Sequence, residues 1–122
     1  MTNNIKEIRF YAVNGAKTKQ GGTLFAANSS VTCNNNNLGL EGDSIFYPDG
    51  SSAVIERDES TLLEVEGHFV AAVGTRLSNG DIISLANQES MALITLNDGQ
   101  QTCGYLDENE VKILKNAGGI IC

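Results

Sequence analysis

The sequence predicts an all-β fold, and three observations lead to this prediction. Glycine is abundant (13 residues), proline nearly absent (1) and tryptophan absent, which favours many tight turns over a large aromatic core. Segments rich in β-branched and aromatic residues alternate with glycine-containing turns. Two of these segments also repeat each other. At 122 residues, we expect one domain with a core of its own.

The repeat covers residues 15–28 and 74–87, which align without gaps. The identical or similar pairs are Gly15 with Gly74, Lys17 with Arg76, Gln20 with Asn79, Gly21 with Gly80, Leu24 with Ile83, Ala27 with Ala86, and Asn28 with Asn87. Because internal repetition indicates repeated structural units, these segments predict two copies of one strand–turn–strand unit.

Strands are predicted in chain order between glycine and asparagine turns. The β-branched, aromatic and apolar content places them at residues 8–13, 23–27, 52–55, 61–65 and 68–73, with a further short strand within residues 38–50. Residues 29–33 either continue the strand at 23–27 or pair beside it. The asparagine run at residues 34–37 and the sequence Pro48-Asp49-Gly50 are expected to be exposed turns.

The end of the chain has a different pattern. Residues 91–96 form a continuous apolar run, which predicts an inner strand buried on both faces. Residues 107–115 predict a short helix, with Asp107 at its N-cap and Glu110 at the capping-box position. We therefore divide the chain into a β structure at residues 1–96 and an extension at 97–122 that packs on the same domain.

Charge and hydropathy exclude two classes of partner. Acidic residues outnumber basic ones by 15 to 8, giving a formal net charge of -7 that repels nucleic-acid phosphates. No run is long enough to anchor the chain in a membrane, and the first residues lack the pattern of a signal peptide. We expect synthesis in the bacterial cytoplasm.

The three cysteines, Cys33, Cys103 and Cys122, are widely spaced and odd in number. This is not the pattern of a disulfide framework, so the sequence favours reduced and mostly buried thiols. A bridge between Cys103 and Cys122 is the alternative in an oxidising medium.

Three segments, residues 13–24, 40–50 and 71–83, together resemble the motifs of PAAR-repeat proteins. In that family each motif runs roughly Ala-x-Val-Gly-Asp-x-Thr-x-x-Gly-Gly before an apolar strand, and Ala72-Val-Gly-Thr matches its beginning. The resemblance implies a small cone of three pseudo-repeated strand–turn–strand units. It assigns their turns to Gly15, Gly21, Gly22, Gly42, Asp43, Gly74 and Gly80.

The resemblance also implies a function. PAAR-like cones cap and sharpen the end of a trimeric, VgrG-like β-helical spike in type VI secretion systems, phage tails and related contractile injection machines, and they often carry or recruit an effector. We therefore expect a spike partner, with an effector or chaperone as a further one, and delivery by the injection apparatus. Candidate spike contacts are Phe10, Tyr11, Phe25 and Phe69, for which ordinary core packing is an equal alternative.

No metal is favoured, although members of this family commonly bind one near the tip through histidines and a cysteine placed before the glycine pair. Gln20 and Asn79 occupy those places in the first and third motifs, and neither is a usual zinc ligand. We expect hydrogen bonds and packing to hold the tip, with these amides as partners. The alternative zinc set is Cys33, His68, Cys103 and Cys122.

No catalytic residue is expected. His68 has no neighbouring nucleophile pattern, and the Gly15–Gly22 segment lacks the ending of a phosphate-binding loop. The acidic residues of the glycine turns suit the turns themselves better than hydrolysis or calcium binding; these are Glu41, Asp43, Asp49, Asp58, Asp81 and Asp98. The alternatives to a spike cap are a small secreted effector, an effector-loading adaptor, or a free-standing β-rich binding domain.

Overall fold

The computed structural model describes residues 5–105, and this part of the chain is all-β as predicted. The predicted helix at residues 107–115 lies outside the described residues. One 3-10 turn occurs at Glu59–Thr61. The strands are β1 Ile5–Phe10, β2 Lys17–Thr18, β3 Thr23–Phe25, β4 Thr32–Cys33, β5 Asn36–Asn37, β6 Ser44–Phe46, β7 Ser52–Val54, β8 Glu64–Val65, β9 His68–Phe69, β10 Ile83–Leu85, β11 Met91–Leu96 and β12 Gln101–Tyr105.

Three hairpin units have the same pattern of backbone hydrogen bonds. Each begins at a glycine with φ near +90°, a conformation that favours glycine because it has no Cβ. The amide of this glycine donates to a buried residue at the far end of the hairpin: Gly15 to Leu24 (2.9 Å), Gly42 to Ile55 (2.8 Å) and Gly74 to Ile83 (2.9 Å). Residues 40–55 are thus a third copy of the repeated unit.

The second unit is longer than the other two. Its hairpin runs over residues 43–55, against 16–24 and 75–83, so it contains four additional residues. Every hairpin nevertheless ends in a three-residue loop whose last residue is a glycine with positive φ, namely Gly21, Gly50 or Gly80. The insertion hides this copy from an alignment without gaps.

A closed ring of backbone hydrogen bonds joins the units around a pseudo-threefold axis. Ala12 donates to Ala71 (2.9 Å), Ala71 to Gly39 (2.8 Å) and Gly39 to Ala12 (2.8 Å). These residues lie three positions before Gly15, Gly42 and Gly74. Gly39 replaces alanine because a Cβ there would lie 2.5 Å from Cδ2 of Leu24.

The six hairpin segments form a closed barrel on one side of this ring. A five-stranded sheet has the order β10-β2-β3-β6-β7. The bridges Ile55–Leu77 and Arg76–Ile82 insert the first segment of the third unit between β7 and β10. The barrel therefore has no free edge, and it encloses a cluster that includes Leu24, Ile45, Ile55, Leu77 and Ile83.

The other side of the ring is covered by a second set of paired strands. β4 pairs with β5 and β8 with β9, each through a two-residue turn. The pair β1–β11 has the equivalent place for the first unit, but its strands come from opposite ends of the described chain. Each pair has one inward residue in the equivalent place, and these three belong to one core cluster: Cys33, Val65 and Leu93. Their partners across the strands are Asn36, His68 and Arg9 respectively.

Several predicted elements differ from the structure. Only Asn34 and Asn35 form the asparagine turn, because Asn36 and Asn37 pair with β4 in β5. The strand predicted at residues 61–65 is reduced to β8 by the preceding 3-10 turn.

The ends of the predicted 1–96 unit differ as well. β11 is the middle strand of the sheet β1-β11-β12, but only its first half is buried. Because β12 completes this sheet, the boundary placed after residue 96 passes through a hairpin.

Candidate functional site

The three hairpin loops meet at one carboxylate. Asp81, in the third unit, is only 2% exposed. Its Oδ2 accepts a hydrogen bond from the Tyr47 hydroxyl of the second unit (2.6 Å), and its Oδ1 accepts from the backbone N–H of Gln20 in the first (3.1 Å), a main-chain contact in place of the predicted side-chain amide contact. The Asn79 side chain donates to the Tyr47 hydroxyl (3.0 Å). We call this cluster of Gln20, Tyr47, Asn79 and Asp81 the loop-end cluster.

The hydrogen bonds of this cluster set its protonation state. Burial acts to raise the pKa of Asp81, but donors from Thr18, Tyr47 and the backbone outweigh it and hold this pKa below its usual range. Burial and the contact with Asp81 raise the pKa of Tyr47. Near neutral pH, Asp81 is therefore charged and Tyr47 is neutral, and neither group changes its protonation state. Their contact is structural.

A second carboxylate, Asp58, also joins all three units. It follows the second unit and accepts from Arg9, which precedes the first unit (3.1 Å), and from Thr75 in the third (2.8 Å). Burial acts to raise its pKa, but hydrogen bonds from Ser60, Thr75 and Arg9 lower it overall. Sequence reasoning assigned Asp58 to a local turn, since the long-range contact with Arg9 has no local signal.

The zinc set does not meet at one place in the residues that the structure describes. Cys33 is buried at a position equivalent to Val65 and Leu93, and burial raises the pKa of its thiol, which disfavours the thiolate. His68 is exposed and lies 3.4 Å from Glu41. Cys103 Sγ lies 2.9 Å from the Tyr11 hydroxyl, and Cys122 lies outside the described residues. Residues 5–105 contain no group of three potential metal ligands.

The repeat-turn residues fall into two groups. Gly15, Gly21, Gly42, Gly74 and Gly80 have positive φ, as their turns require. Gly22 does not, and a Cβ there would lie 2.5 Å from Ile45. Asp43 acts through its side chain, which accepts from the Leu40 amide (2.8 Å).

The four candidate spike contacts differ in how deeply they are buried. Phe10 and Tyr11 are fully buried, so of the two alternatives for these residues the structure gives core packing and not a surface contact. The buried Tyr11 hydroxyl donates to the Thr61 carbonyl (2.6 Å). Phe69 is half-buried and stacks under Arg57 (4.6 Å), while Phe25 is 58% exposed.

Sequence reasoning missed two exposed apolar residues beside Phe25. Phe46 is 53% exposed and Val54 is 43% exposed, both on the outer face of the barrel. Phe46 meets Phe25 edge-to-face with ring centroids 6.4 Å apart. The signal was the alternation in Ser44-Ile45-Phe46, whose buried middle residue places its neighbours outside.

Comparison with known proteins gives no match: no family model, no curated protein and no solved structure is significantly similar to this chain. Within residues 5–105, no helix has the length and apolar character needed to cross a bilayer.

Proposed function

We propose that this chain is a non-enzymatic module that caps the end of a trimeric β-helical spike in a contractile injection apparatus. The observation that carries this proposal is the ring of Ala12, Gly39 and Ala71, through which one chain surrounds a pseudo-threefold axis. A single chain of this kind offers three similar surfaces to a partner with true threefold symmetry. The resemblance of its three motifs to PAAR repeats gives the same partner.

The two ends of the axis differ, and we assign the spike contact to the end opposite the hairpin loops. There, the turns Asn34–Asn35 and Glu66–Gly67 occupy equivalent places in the second and third units. The hairpin loops are tied inward by the loop-end cluster. In this orientation the loop end is the outer tip, and the module acts by shape and binding, delivered with the spike that it caps.

The stoichiometry of a reconstituted complex tests the proposal. The full chain is mixed with a trimeric VgrG-like spike protein, and native mass spectrometry is expected to show one chain per trimer. Three chains per trimer, or no complex with such spikes, would contradict it. The orientation is tested by the exposed substitution Glu66→Lys, which should weaken the complex, against the matched control Asp49→Lys at the opposite end, which should not.

A further inference from the structure

A patch with exposed aromatic rings lies on the outer face of the barrel. It consists of the outward residues of β3, β6 and β7, which we call the aromatic wall: Thr23, Phe25, Ser44, Phe46, Ser52 and Val54. In the strand register, Ser44 lies between Phe25 and Val54. In the neighbouring row, Phe46 lies between Thr23 and Ser52. The small hydroxyl residues leave the two rings standing above the sheet.

The wall occurs once around the pseudo-threefold axis. Phe25 follows the buried Leu24, and the equivalent residues after Ile55 and Ile83 are Glu56 and Ser84. A partner that uses the threefold axis therefore does not account for the wall. The packing of Phe25 on Phe46 does not account for it either, because more than half of each ring residue stays exposed.

The charge next to the aromatic wall indicates what kind of partner fits. Lys17, which lies opposite Thr23, donates to the Thr23 hydroxyl (2.6 Å). Among the described residues, no carboxylate lies within ion-pair distance of this ammonium group. None of the six wall residues is acidic, although the chain has 15 acidic residues. Lys17, a cation on the strand next to the apolar rings, is complementary to an apolar surface that carries a carboxylate.

We propose that the aromatic wall binds one copy of a partner protein that presents aliphatic or aromatic side chains next to an Asp or Glu, with this carboxylate on Lys17. The contact is made by side chains, because β3, β6 and β7 already have neighbours on both sides in the closed barrel. A second copy of this chain is disfavoured, since each copy brings a formal charge of -7. This proposal does not depend on spike capping, because it uses a different surface.

Peptide selection against the full chain tests this proposal. We expect phage-displayed peptides of about 12 residues to be enriched for Phe or Leu next to Asp or Glu, the chemistry of a helix or loop anchor. Fluorescence anisotropy with an enriched peptide should show at least about tenfold weaker binding for Phe46→Ser, because the ring that the bound peptide would bury is lost. Lys17→Glu, which reverses the charge of this exposed residue, should weaken binding similarly. The control Tyr105→Ser, at the exposed aromatic on β12, should leave binding unchanged.

Four results would overturn the proposal. The first is the absence of any enrichment, and the second is enrichment of basic peptides or of peptides whose binding survives both Phe46→Ser and Lys17→Glu. The third is a concentration-dependent dimer that Phe46→Ser abolishes, which would identify a second copy as the occupant. The fourth is Phe46-dependent binding to phosphatidylcholine–phosphatidylglycerol vesicles, which would identify a lipid surface instead. Circular dichroism of each variant verifies its fold.

Discussion

At the residue scale, one buried carboxylate joins the three hairpin units. Asp81 contacts side-chain or backbone donors from all three units within 3.1 Å. A single side chain therefore connects the three units by hydrogen bonds. The equivalent positions are Gly22 in the first unit, where a Cβ would lie 2.5 Å from Ile45, and Ser51 in the second.

The lowered pKa of Asp81 predicts a loss of stability in acid. Because its pKa in the folded chain is below that of the unfolded chain, its contribution is complete above about pH 5 and is lost as the pH falls below about 4. Asp81→Asn should lower the free energy of unfolding by about 1–3 kcal/mol at pH 7 and less at pH 3. Urea denaturation at both pH values measures this. An equal loss at both would show that charge has no part in the contact.

Gly39 allows a prediction about the packing at the axis. Gly39→Ala should destabilise the chain by about 1–3 kcal/mol, because the new methyl group overlaps Leu24 in a buried cluster. The double variant with Leu24→Val removes the overlapping methyl and should cost less than the two single variants together. A double-mutant cycle by urea denaturation measures the coupling, and strict additivity would place the strain elsewhere.

At the element scale, the strand pair β1–β11 differs from β4–β5 and β8–β9 because it is not a local hairpin. β4–β5 and β8–β9 are closed by two-residue turns, whereas β1–β11 joins the first described strand to one near the end. Ile8 and Phe10 of β1 are fully buried, so this pair closes the ring through packing as well as backbone pairing. β12 then covers the second edge of β11.

Truncation after Leu96 should therefore impair folding of the ring itself. It removes β12, whose five residues pair with β11, and also the Cys103 contact with Tyr11. Thermal unfolding followed by circular dichroism should show a much lower midpoint, or no cooperative transition. The full-length variant Thr102→Pro, which cannot donate to the strand ladder, should give a smaller change in the same direction. An unchanged midpoint in the truncated chain would make residues 97–122 a dispensable extension.

At the scale of the whole molecule, the three units form a ring in which each one needs the other two. Backbone bonds run from Asn14 to Asn37, from Glu41 to Phe69 and from Val73 to Phe10, so every unit donates to the next. A linear repeat array lacks this closure, and its stability is approximately a sum over neighbours.

Fragments should therefore fold only together. Cutting at the exposed Glu66–Gly67 turn gives residues 1–66 and 67–122, and each fragment alone should be unfolded by circular dichroism and NMR. An equimolar mixture should recover the ring, because the cut removes no strand. A folded fragment 1–66 would show that two units are sufficient without the third.

The sequence by itself determined the all-β class, the glycine turns and two of the repeated units, because these depend on local conformation and on similarity within the chain. Positive φ at Gly15 and Gly74 is a local requirement that glycine meets wherever it occurs. The third unit was only suggested by residues 40–50, since four additional residues change its spacing.

Only the tertiary structure decided which residues belong to the core, the loop-end cluster and the surface. Phe10 and Phe25 are equally apolar in sequence, but Phe10 closes the ring and Phe25 stands on the barrel wall. Asp58 and Asp81 are ordinary turn residues until the ring brings Arg9 and Tyr47 to them. Such contacts join residues far apart in the chain, and no local pattern encodes which distant segment closes a ring.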